Sequence, residues 1–356
     1  MRGEINMQTL VLKPDGQALE KAAALLRAGE LVGIPTETVY GLAADGLSQQ
    51  AALKIFEAKQ RPADNPLIEH IAHMDQLKEL IRGELPEQAR ALAQAFWPGP
   101  LTMILPKSQR VPQAVCAGLD TVAIRMPSHP VAHALIEKCG LPLAAPSANR
   151  SGRPSPTRAS HVLEDMEGRI PLILDGGPCE VGLESTVVEL SGDKVRVLRP
   201  GGVTPEMIEA VLGGVWVDES VLKPLQPGQV VRSPGMKYRH YAPKGSLTIV
   251  KGAPERVAGR IAQLYDGAVS QGASAAILCM KQNEARYGHR RVHPLGQRPG
   301  LDSVASDLFD ALRLMDEQKV ERIFAEAVDA HGLGLAIMNR MGRAAAFHVL
   351  DADRGE

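Results

Sequence analysis

The chain has 356 residues, of which 44% are hydrophobic and 23% are charged, and its formal net charge is -1. That length predicts about two domains. The even charge balance argues against a protein whose main task is to coat nucleic acid, because such binding depends on neutralising phosphates. The four cysteines are scattered and form no CxxC pair, which argues against a disulfide scaffold or a zinc site. No stretch predicts a signal peptide or a membrane span, so we expect a soluble cytoplasmic protein.

The first half of the chain alternates helical and strand-like patterns. Apolar residues at helical spacing predict a helix over 17–29, and a buried strand at Leu31–Ile34 follows. Ser48 is a candidate N-cap for a helix that ends near Lys59. Further predicted strands are Leu101–Leu105, Thr121–Arg125, Leu141–Ala145, Ile170–Leu174, Thr186–Leu190 and Val195–Leu198. Further predicted helices are Glu87–Phe96, Pro130–Lys138, Ser160–Glu164 and Pro205–Val211. Several strand pairs lack room for an intervening helix, so we predict an α/β fold with a mixed sheet.

A change of composition marks the second half. Residues from about 218 to 243 are rich in Pro, Gly and polar side chains and predict a connector. Strands at Ser246–Val250 and Ala275–Met280, with helices at Pro254–Leu264 and Ser303–Glu317, predict a smaller α/β unit beyond it. We therefore divide the chain into an N-terminal domain at 1–215, a linker at 216–245 and a C-terminal domain at 246–356. A long irregular segment is uncommon unless it is functional, and this one carries side chains suited to a lid over a charged ligand, Lys237, Tyr238, Arg239, His240 and Tyr241.

Three segments carry groups suited to binding anions. Residues 35–42, PTETVYGL, place two hydroxyls and a carboxylate directly after a buried strand, where α/β proteins hold ligand groups. A polar turn that caps the strand is an equally good interpretation. Lys59 and Arg61 form a compact cationic pair suited to phosphate, or they satisfy a helix C-terminus. Arg125, at the end of a predicted strand, can clamp a carboxylate or form an ordinary salt bridge.

Small-residue loops add to these segments. Residues 144–149 and 151–157 are rich in Ala, Ser, Pro and Gly, which let backbone amides approach a phosphate, although such clusters are usually only loops. There is no GxxxxGK[ST] loop, and Gly332-Leu333-Gly334 lacks a third glycine and follows no clear strand-to-helix turn. His70 and His73 have no third ligand nearby, so no protein metal site is predicted. A bound nucleotide would need an uncommon cradle.

Eight ordered strings resemble the YrdC-type threonylcarbamoyl-AMP synthases in their long, two-domain form. They are PTETVYGL at 35–42, AKQRPADNPL at 58–67, WPGPLT at 97–102, GLDTVAIRMP at 118–127, APSAN at 145–149, RPSPT at 153–157, GLEST at 182–186 and LRPG at 198–201. The connector at 233–243 and GLAIMNRMGRAA at 334–345 are similar to the later parts of that form. The segment 329–334 departs from it, because a proline-containing approach is expected there.

The resemblance implies a YrdC-like twisted mixed sheet with helices on both sides, plus a smaller C-terminal α/β Rossmann-like domain. It implies a nucleotidyltransferase that makes L-threonylcarbamoyl-AMP and pyrophosphate from ATP, L-threonine and bicarbonate, with Mg²⁺ on the ATP phosphates. The product would serve N6-threonylcarbamoyladenosine modification beside the tRNA anticodon, through a separate tRNA threonylcarbamoyl transferase.

The same resemblance implies roles for particular residues. Threonine would be held by Thr38, His70, Arg125, Ala145 and Ser185. ATP would be held by Arg61, Asn65, Thr121, Ser147, Ser155, Arg199 and Tyr241. Lys59 and Arg61 would be the catalytic cations. Positioning and charge neutralisation would dominate such a reaction.

Two other classes compete with this interpretation. An RNA-binding module would require a basic surface, and the net charge counts against that as the main function, though a weak RNA contact is compatible with it. A carbamoyl transferase or a sugar-phosphate synthase on a related fold would require, respectively, cysteine-rich modules or a cluster of acidic metal ligands. The loops around Thr36 and Ser147 offer mainly hydroxyls and cations.

Overall fold

The computed structural model describes residues 7–191, 194–223, 241–296 and 300–354, and these fall into two compact units. The first unit holds the described residues up to Ser151 and those from Ser155 to Ser220. The second holds Gly152–Pro154, the residues after Ser220 up to 223, and those from Tyr241 onward. The predicted lid residues Lys237, Tyr238, Arg239 and His240 lie outside the described residues, as does most of the predicted linker.

The first unit is built on a mixed sheet. Its strands are β1 (Leu10–Leu12), β2 (Val32–Ile34), β3 (Gly41–Asp45), β4 (Ile68–His70), β5 (Leu101–Pro106), β6 (Thr121–Arg125), β7 (Leu143–Ala144), β8 (Leu172–Leu174), β9 (Thr186–Ser191), β10 (Lys194–Arg199) and β11 (Val215–Val217). In the described residues their order is β1-β8-β2-β3-β7-β4-β6-β5-β9-β10-β11. The pairs β4–β6 and β5–β9 are parallel, whereas β7–β4 and β5–β6 are antiparallel. The predicted mixed sheet is confirmed.

Helices of this unit cover the sheet. They are α1 (Gly16–Arg27), α2 (Gln49–Lys59), α3 (Leu77–Leu80), α4 (Glu87–Phe96), α5 (Gln113–Cys116), α6 (Pro130–Cys139), α7 (Ala159–Met166) and α8 (Pro205–Leu212). Of these, α1, α2, α6 and α8 begin at side-chain N-caps. Ser48 accepts a hydrogen bond from Ala51 N at 3.2 Å, as its predicted N-cap role requires. Asp15 caps α1 in the same way, through Ala18 N at 2.8 Å. None of the helices in the described part of the chain is long and apolar enough to cross a membrane.

Helices cover both faces of the first sheet. On one face, α1 and α6 bury Leu26 and Leu135 against strands β2, β7 and β8. On the other face, α2, α4 and α7 bury Ile55, Leu92 and Val162 against the sheet. The helical periodicity predicted from sequence therefore corresponds to real packing faces.

The second unit is a smaller parallel α/β sheet. Its strands are β12 (Ser246–Lys251), β13 (Ala275–Met280), β14 (Val292–Leu295), β15 (Arg322–Glu326) and β16 (Val349–Asp351), and its helices are α9 (Pro254–Ser270), α10 (Asp302–Glu317) and α11 (Leu333–Ala344). Its strand order is β14-β13-β15-β12-β16, and all the pairings are parallel. This is the predicted Rossmann-like arrangement.

One sequence interpretation of this unit is wrong. Gly332-Leu333-Gly334 does lie on a strand-to-helix turn, between β15 and α11. An added Cβ at Gly334 would lie 1.8 Å from the carbonyl oxygen of Asp329, so the tight turn requires glycine there. The strand was missed because its sequence, RIFAE, is short and carries charged residues at both ends.

Candidate functional site

Strand pairing places several predicted site residues side by side on one face of the first sheet. His70 of β4 lies opposite Arg125 of β6, and Arg125 lies opposite Thr102 of β5. Thr102 in turn lies opposite Val187 of β9. Because directly paired residues point to the same face of a sheet, these side chains form a row across four strands. The row adjoins the part of the face that α1 and α6 cover, since His70 also pairs with Leu143.

A small apolar cluster lies beside this row on the same sheet. Its buried members come from strands β4, β5, β6, β9 and β10: Ile68, Ile104, Ala123, Val187 and Leu198. Apolar neighbours lower the local dielectric, which strengthens charge interactions beside them. The site therefore combines apolar and polar side chains, as ligand sites commonly do.

Arg125 is the central cation of the site and is 4% exposed. Its Nη1 donates to Thr38 Oγ1 at 2.8 Å, and its Nη2 lies 2.6 Å from Glu37 Oε1. Thr36 Oγ1 donates to the carbonyl oxygen of Val39 at 2.6 Å, so Thr38 Oγ1 donates the hydrogen bond that joins the two threonine hydroxyls. The salt bridge that the sequence left open for Arg125 is present, and the partner is Glu37.

His70 is held as a neutral imidazole. Burial, and then the Arg125 charge, lower the pKa of His70 to about 3. Its Nδ1 lies 3.0 Å from the carbonyl oxygen of Ile68, an acceptor, so Nδ1 carries the hydrogen and Nε2 has the lone pair. A neutral ring adds no second positive charge beside Arg125.

Ser185 and Arg199 join the row through hydroxyl contacts. Ser185 Oγ lies 2.7 Å from Thr102 Oγ1, and Arg199 Nη2 donates to Ser185 Oγ at 3.2 Å. Arg199 Nε also donates to the Ser185 carbonyl oxygen at 3.0 Å. The structure thus brings together a predicted threonine ligand and a predicted ATP ligand.

Lys59 holds the Ser147 loop in place through hydrogen bonds to the backbone of the loop. Lys59 is 2% exposed, and its Nζ donates to the carbonyl oxygens of Ser147 and Asn149, the latter at 2.6 Å. A bridge between Gly41 and Ser147 joins the loop to β3. Ala145 N donates to the carbonyl oxygen of Ile68 at 2.9 Å, which places Ala145 beside β4. The predicted cation is therefore part of the scaffold of the predicted phosphate loop.

Arg61 and Asn65 contact each other at the end of α2. Arg61 Nη2 donates to the carbonyl oxygen of Asn65 at 3.0 Å. Asn65 is fully buried, yet neither its Nδ2 nor its Oδ1 has a hydrogen-bond partner among the residues that the structure describes. An unpaired buried amide is costly in a folded protein and is typical of a group reserved for a ligand.

The other predicted ATP residues lie in different surroundings. Ser155 donates its hydroxyl hydrogen to Glu184, beside Ser185. Thr121 is at the opposite end of β6 from Arg125. Tyr241 lies in the second unit, where its ring centroid is 5.2 Å from that of Phe309. Contacts of all these residues with ATP or threonine stay predictions. In the described residues no group of three His, Cys, Asp or Glu side chains is placed to hold a metal ion.

The sequence pointed to the carboxylate of Glu37 only as a possible ligand group of its segment, and it gave no role to Thr102 or Glu184. Each lies inside a string that carried the family resemblance, so the signal for these residues was their polar character within PTETVYGL, WPGPLT and GLEST. The contacts in this site join residues that are far apart in sequence. Thr38 and Arg125, for example, are 87 positions apart. Spacing along the chain cannot show such pairs.

A buried arginine, a neutral imidazole and paired hydroxyls beside an apolar cluster are typical of an enzyme site for a small charged molecule. The comparisons with known proteins agree with that class. A family model described as Telomere recombination matches residues 24–201, and one described as Threonylcarbamoyl-AMP synthase, C-terminal domain, matches residues 203–346. A threonylcarbamoyl-AMP synthase of Bacillus subtilis is 49% identical over 344 residues, covering 95% of this chain and 96% of that protein.

Solved structures give the same result. Pyrococcus abyssi Sua5 in complex with L-threonine is 44% identical, with a TM-score of 0.89 over 97% of this chain and 98% of that one. The threonylcarbamoyl-AMP synthase of that organism is 46% identical over 92% of this chain and 94% of its own length. The chain therefore belongs to the threonylcarbamoyl-AMP synthase family, in its long two-domain form.

Proposed function

We propose that this enzyme forms L-threonylcarbamoyl-AMP and pyrophosphate from ATP, L-threonine and bicarbonate. The observation that carries the proposal is the similarity over 97% of the chain to a Sua5 that binds L-threonine. Arg125 and its neighbours suit the same ligand, because a guanidinium can bind a carboxylate through two parallel hydrogen bonds. The Thr38 contact and the neutral His70 fix the surroundings of that guanidinium.

Threonine would bind with its carboxylate on Arg125. His70, Thr38 and Ser185 would line the rest of the amino acid, and Ala145 would lie close to its backbone. Neutral His70 suits this task, since its Nε2 can accept a hydrogen bond from a threonine hydroxyl or amine. Arg125 and His70 project from strands of the sheet, which hold them more rigidly than loops would, whereas Thr38, Ala145 and Ser185 lie in segments outside the strands.

ATP would bind through residues of the α2 end, the Ser147 loop and the segments that follow it. Arg61, Asn65 and Arg199 would supply donors for phosphates or for the nucleoside, with Ser147, Ser155, Thr121 and Tyr241 as further contacts. Lys59 adds positive charge behind the loop. Magnesium would enter as part of the MgATP substrate, bridging phosphate oxygens. Donors aimed at the phosphates would stabilise charge that develops in the transition state.

The chemistry needs two bond-forming steps. The free amine of threonine attacks the carbon supplied by bicarbonate, which yields a carbamate and water. A carbamate oxygen then attacks the α-phosphorus of ATP and expels pyrophosphate. The protein contributes mainly by holding the carbamate and the α-phosphate in line. The mixed anhydride formed is suited to a separate transferase that modifies tRNA, which we expect to act in the same cytoplasmic compartment.

A labelled-substrate experiment tests this proposal. The enzyme is incubated with MgATP, L-threonine and ¹³C-bicarbonate, and the products are separated quickly and analysed by mass spectrometry. We expect an adduct of AMP, the labelled carbonyl and threonine. Arg125→Lys should lower kcat/KM for threonine by about 100-fold, because lysine cannot form the two-pronged contact.

The matched control is Arg110→Ala, which removes an exposed arginine paired with Glu79. That variant should behave like the wild type, since surface ion pairs contribute little. A wild-type enzyme that makes AMP without any labelled adduct would contradict the proposal.

A further inference from the structure

Glu37 is a buried carboxylate with few well-aligned hydrogen-bond donors. It is 4% exposed, and among the described residues neither of its carboxylate oxygens accepts a hydrogen bond of good geometry. Its Oε1 lies 2.6 Å from Arg125 Nη2, so the attraction is ionic but poorly aligned. A buried carboxylate normally has several aligned donors, because the cost of removing it from water is large. Glu37 thus retains an unused capacity to accept hydrogen bonds.

Arg125 and Glu37 together form a buried pair of opposite charges in the proposed threonine pocket. Arg125 is also held by Thr38 through a hydrogen bond of 2.8 Å. Its Nε points toward the carbonyl oxygen of Gly99 at 3.4 Å. The guanidinium is therefore held by hydrogen bonds to Thr38 and Gly99, whereas the Glu37 carboxylate is held by its ion pair with Arg125 and by nearby backbone N–H groups.

A free amino acid carries the charges that complement this pair. Its negative carboxylate and its positive ammonium group are attached to one carbon atom. A cation and an anion in contact can therefore bind both groups. With the substrate carboxylate on Arg125, the ammonium group comes next to the oxygens of Glu37. Charge-assisted hydrogen bonds of this kind are the strong ones in proteins.

We propose that Glu37 receives the α-ammonium group of the substrate and removes one proton from it, which frees the amine for carbamate formation. This inference rests on the proposed function. The carboxylate becomes a carboxylic acid, the N–H electron pair becomes the amine lone pair, and that amine attacks bicarbonate. The products of the step are the carbamate and one water molecule, so no other reactant is required.

The charges around Glu37 suit a carboxylate whose pKa rises when substrate binds. Burial raises the pKa of Glu37, while the Arg125 charge and nearby backbone N–H groups lower it, and the net pKa lies below the usual range. A substrate carboxylate on Arg125 offsets part of that positive charge. Burial then has the larger effect on the pKa of Glu37, so the pKa rises and Glu37 becomes a better proton acceptor. Neutral His70 does not replace the lost positive charge.

Other buried carboxylates of the first unit are less suitable. Glu184 accepts the hydroxyl hydrogen of Ser155. Glu69 is fully buried, and burial followed by the charge of Asp45 raises its pKa to about 8, so Glu69 is mostly protonated at neutral pH. Among these three side chains, Glu37 alone forms an ion pair with the proposed threonine clamp.

The test compares two ligands that differ only in the amine. Binding of L-threonine and of (R)-3-hydroxybutyrate, which lacks the amine, is measured by calorimetry on the wild type, on Glu37→Gln and on the control Glu69→Gln. We expect the wild type to prefer threonine, and Glu37→Gln to weaken threonine binding by about 10- to 100-fold with little change for the other ligand. The control should keep the wild-type preference. Steady-state pyrophosphate release should show a lower kcat for Glu37→Gln as well.

Two results would overturn the inference. One is a wild type that binds both ligands equally well. The other is a Glu37→Gln variant that weakens both ligands by the same factor or neither, because Glu37 would then only orient Arg125 or have no part. If the glutamine variant does not fold, Glu37→Asp replaces it and should keep part of the preference for threonine. A wild type that binds threonine but makes no adduct would count against the proposed function instead.

Discussion

Lys59 Nζ lies 2.6 Å from the carbonyl oxygen of Asn149, with the ammonium group almost fully buried. The same nitrogen donates to the carbonyl oxygen of Ser147. A side chain at the end of α2 therefore sets the path of a loop almost a hundred positions later in the chain. The cation predicted to assist catalysis is also a structural brace.

Replacing this brace should affect stability and nucleotide binding together. We expect Lys59→Met to lower the free energy of unfolding by roughly 1–3 kcal/mol, because two buried carbonyl groups lose a charged donor. KM for ATP should rise at the same time, since the Ser147 loop loses its support. Chemical denaturation and pyrophosphate-release kinetics measure the two effects. Lys21→Met on the exposed side of α1 is the control, and an equally stable Lys59→Met would contradict the brace.

Replacing Asn65 should raise KM for ATP without lowering the stability of the fold. Its buried amide has no hydrogen-bond partner within the described part of the chain, so Asn65→Leu should leave the free energy of unfolding unchanged or increase it by up to about 1 kcal/mol. If the amide binds the nucleotide as proposed, KM for ATP should rise by about tenfold or more. Thermal unfolding and steady-state kinetics test this.

A satisfied asparagine provides the comparison for Asn65. Asn339 in the second unit donates to the carbonyl oxygen of Val221 at 2.5 Å and accepts from Arg340 at 2.7 Å. Asn339→Leu should therefore destabilise the protein clearly. If Asn65→Leu were equally destabilising, the amide would have a structural role.

Glu69 should make stability depend on pH. Burial, with the charge of Asp45, raises its pKa from 4.5 to about 8. The unfolded chain ionises first as pH rises, so the stability contributed by Glu69 is complete below about pH 4.5 and is lost as pH rises through about 8. Glu69→Gln should then unfold at a higher denaturant concentration than the wild type near about pH 8, and at a similar one near about pH 4.5. Glu57→Gln on the surface of α2 is the control, and a difference independent of pH would contradict the account.

His70 should remain neutral well below the usual histidine range. Its pKa is lowered from 6.5 to about 3, so its contribution to stability is present above about pH 6.5 and is lost as pH falls toward 3. Nitrogen-15 NMR of labelled protein should show the tautomer with hydrogen on Nδ1 at about pH 6. A His70 resonance that titrates near pH 6.5 would be the contrary result.

The sequence predicts regular elements well where pattern and capping agree. The bounds predicted for α4, Glu87–Phe96, are those found, because its residues are good helix formers with a regular apolar stripe. Strand β6 was also predicted with the bounds observed, Thr121–Arg125. By contrast, β3 was missed, since Gly41–Asp45 contains two alanines and a glycine, which have little strand preference. Strand β7 is shorter than predicted, Leu143–Ala144.

The site was harder to predict than the elements. Residues such as Thr38 and Arg125 were identified through the family resemblance, but the resemblance gave no partner for Arg125 and no role for Glu37. The row of His70, Arg125 and Thr102 depends on strand register, which follows from the packing of the whole sheet. Similarly, the burial of Asn65 without a partner is visible only in three dimensions.

The central claim is that threonine and bicarbonate are joined before attack on ATP. Pyrophosphate release from MgATP, with threonine and bicarbonate omitted in turn, tests it most directly. We expect rapid release with both co-substrates and background release when either is missing. Release that continues without threonine would contradict the claim, because the nucleophile that attacks the α-phosphorus would then come from elsewhere.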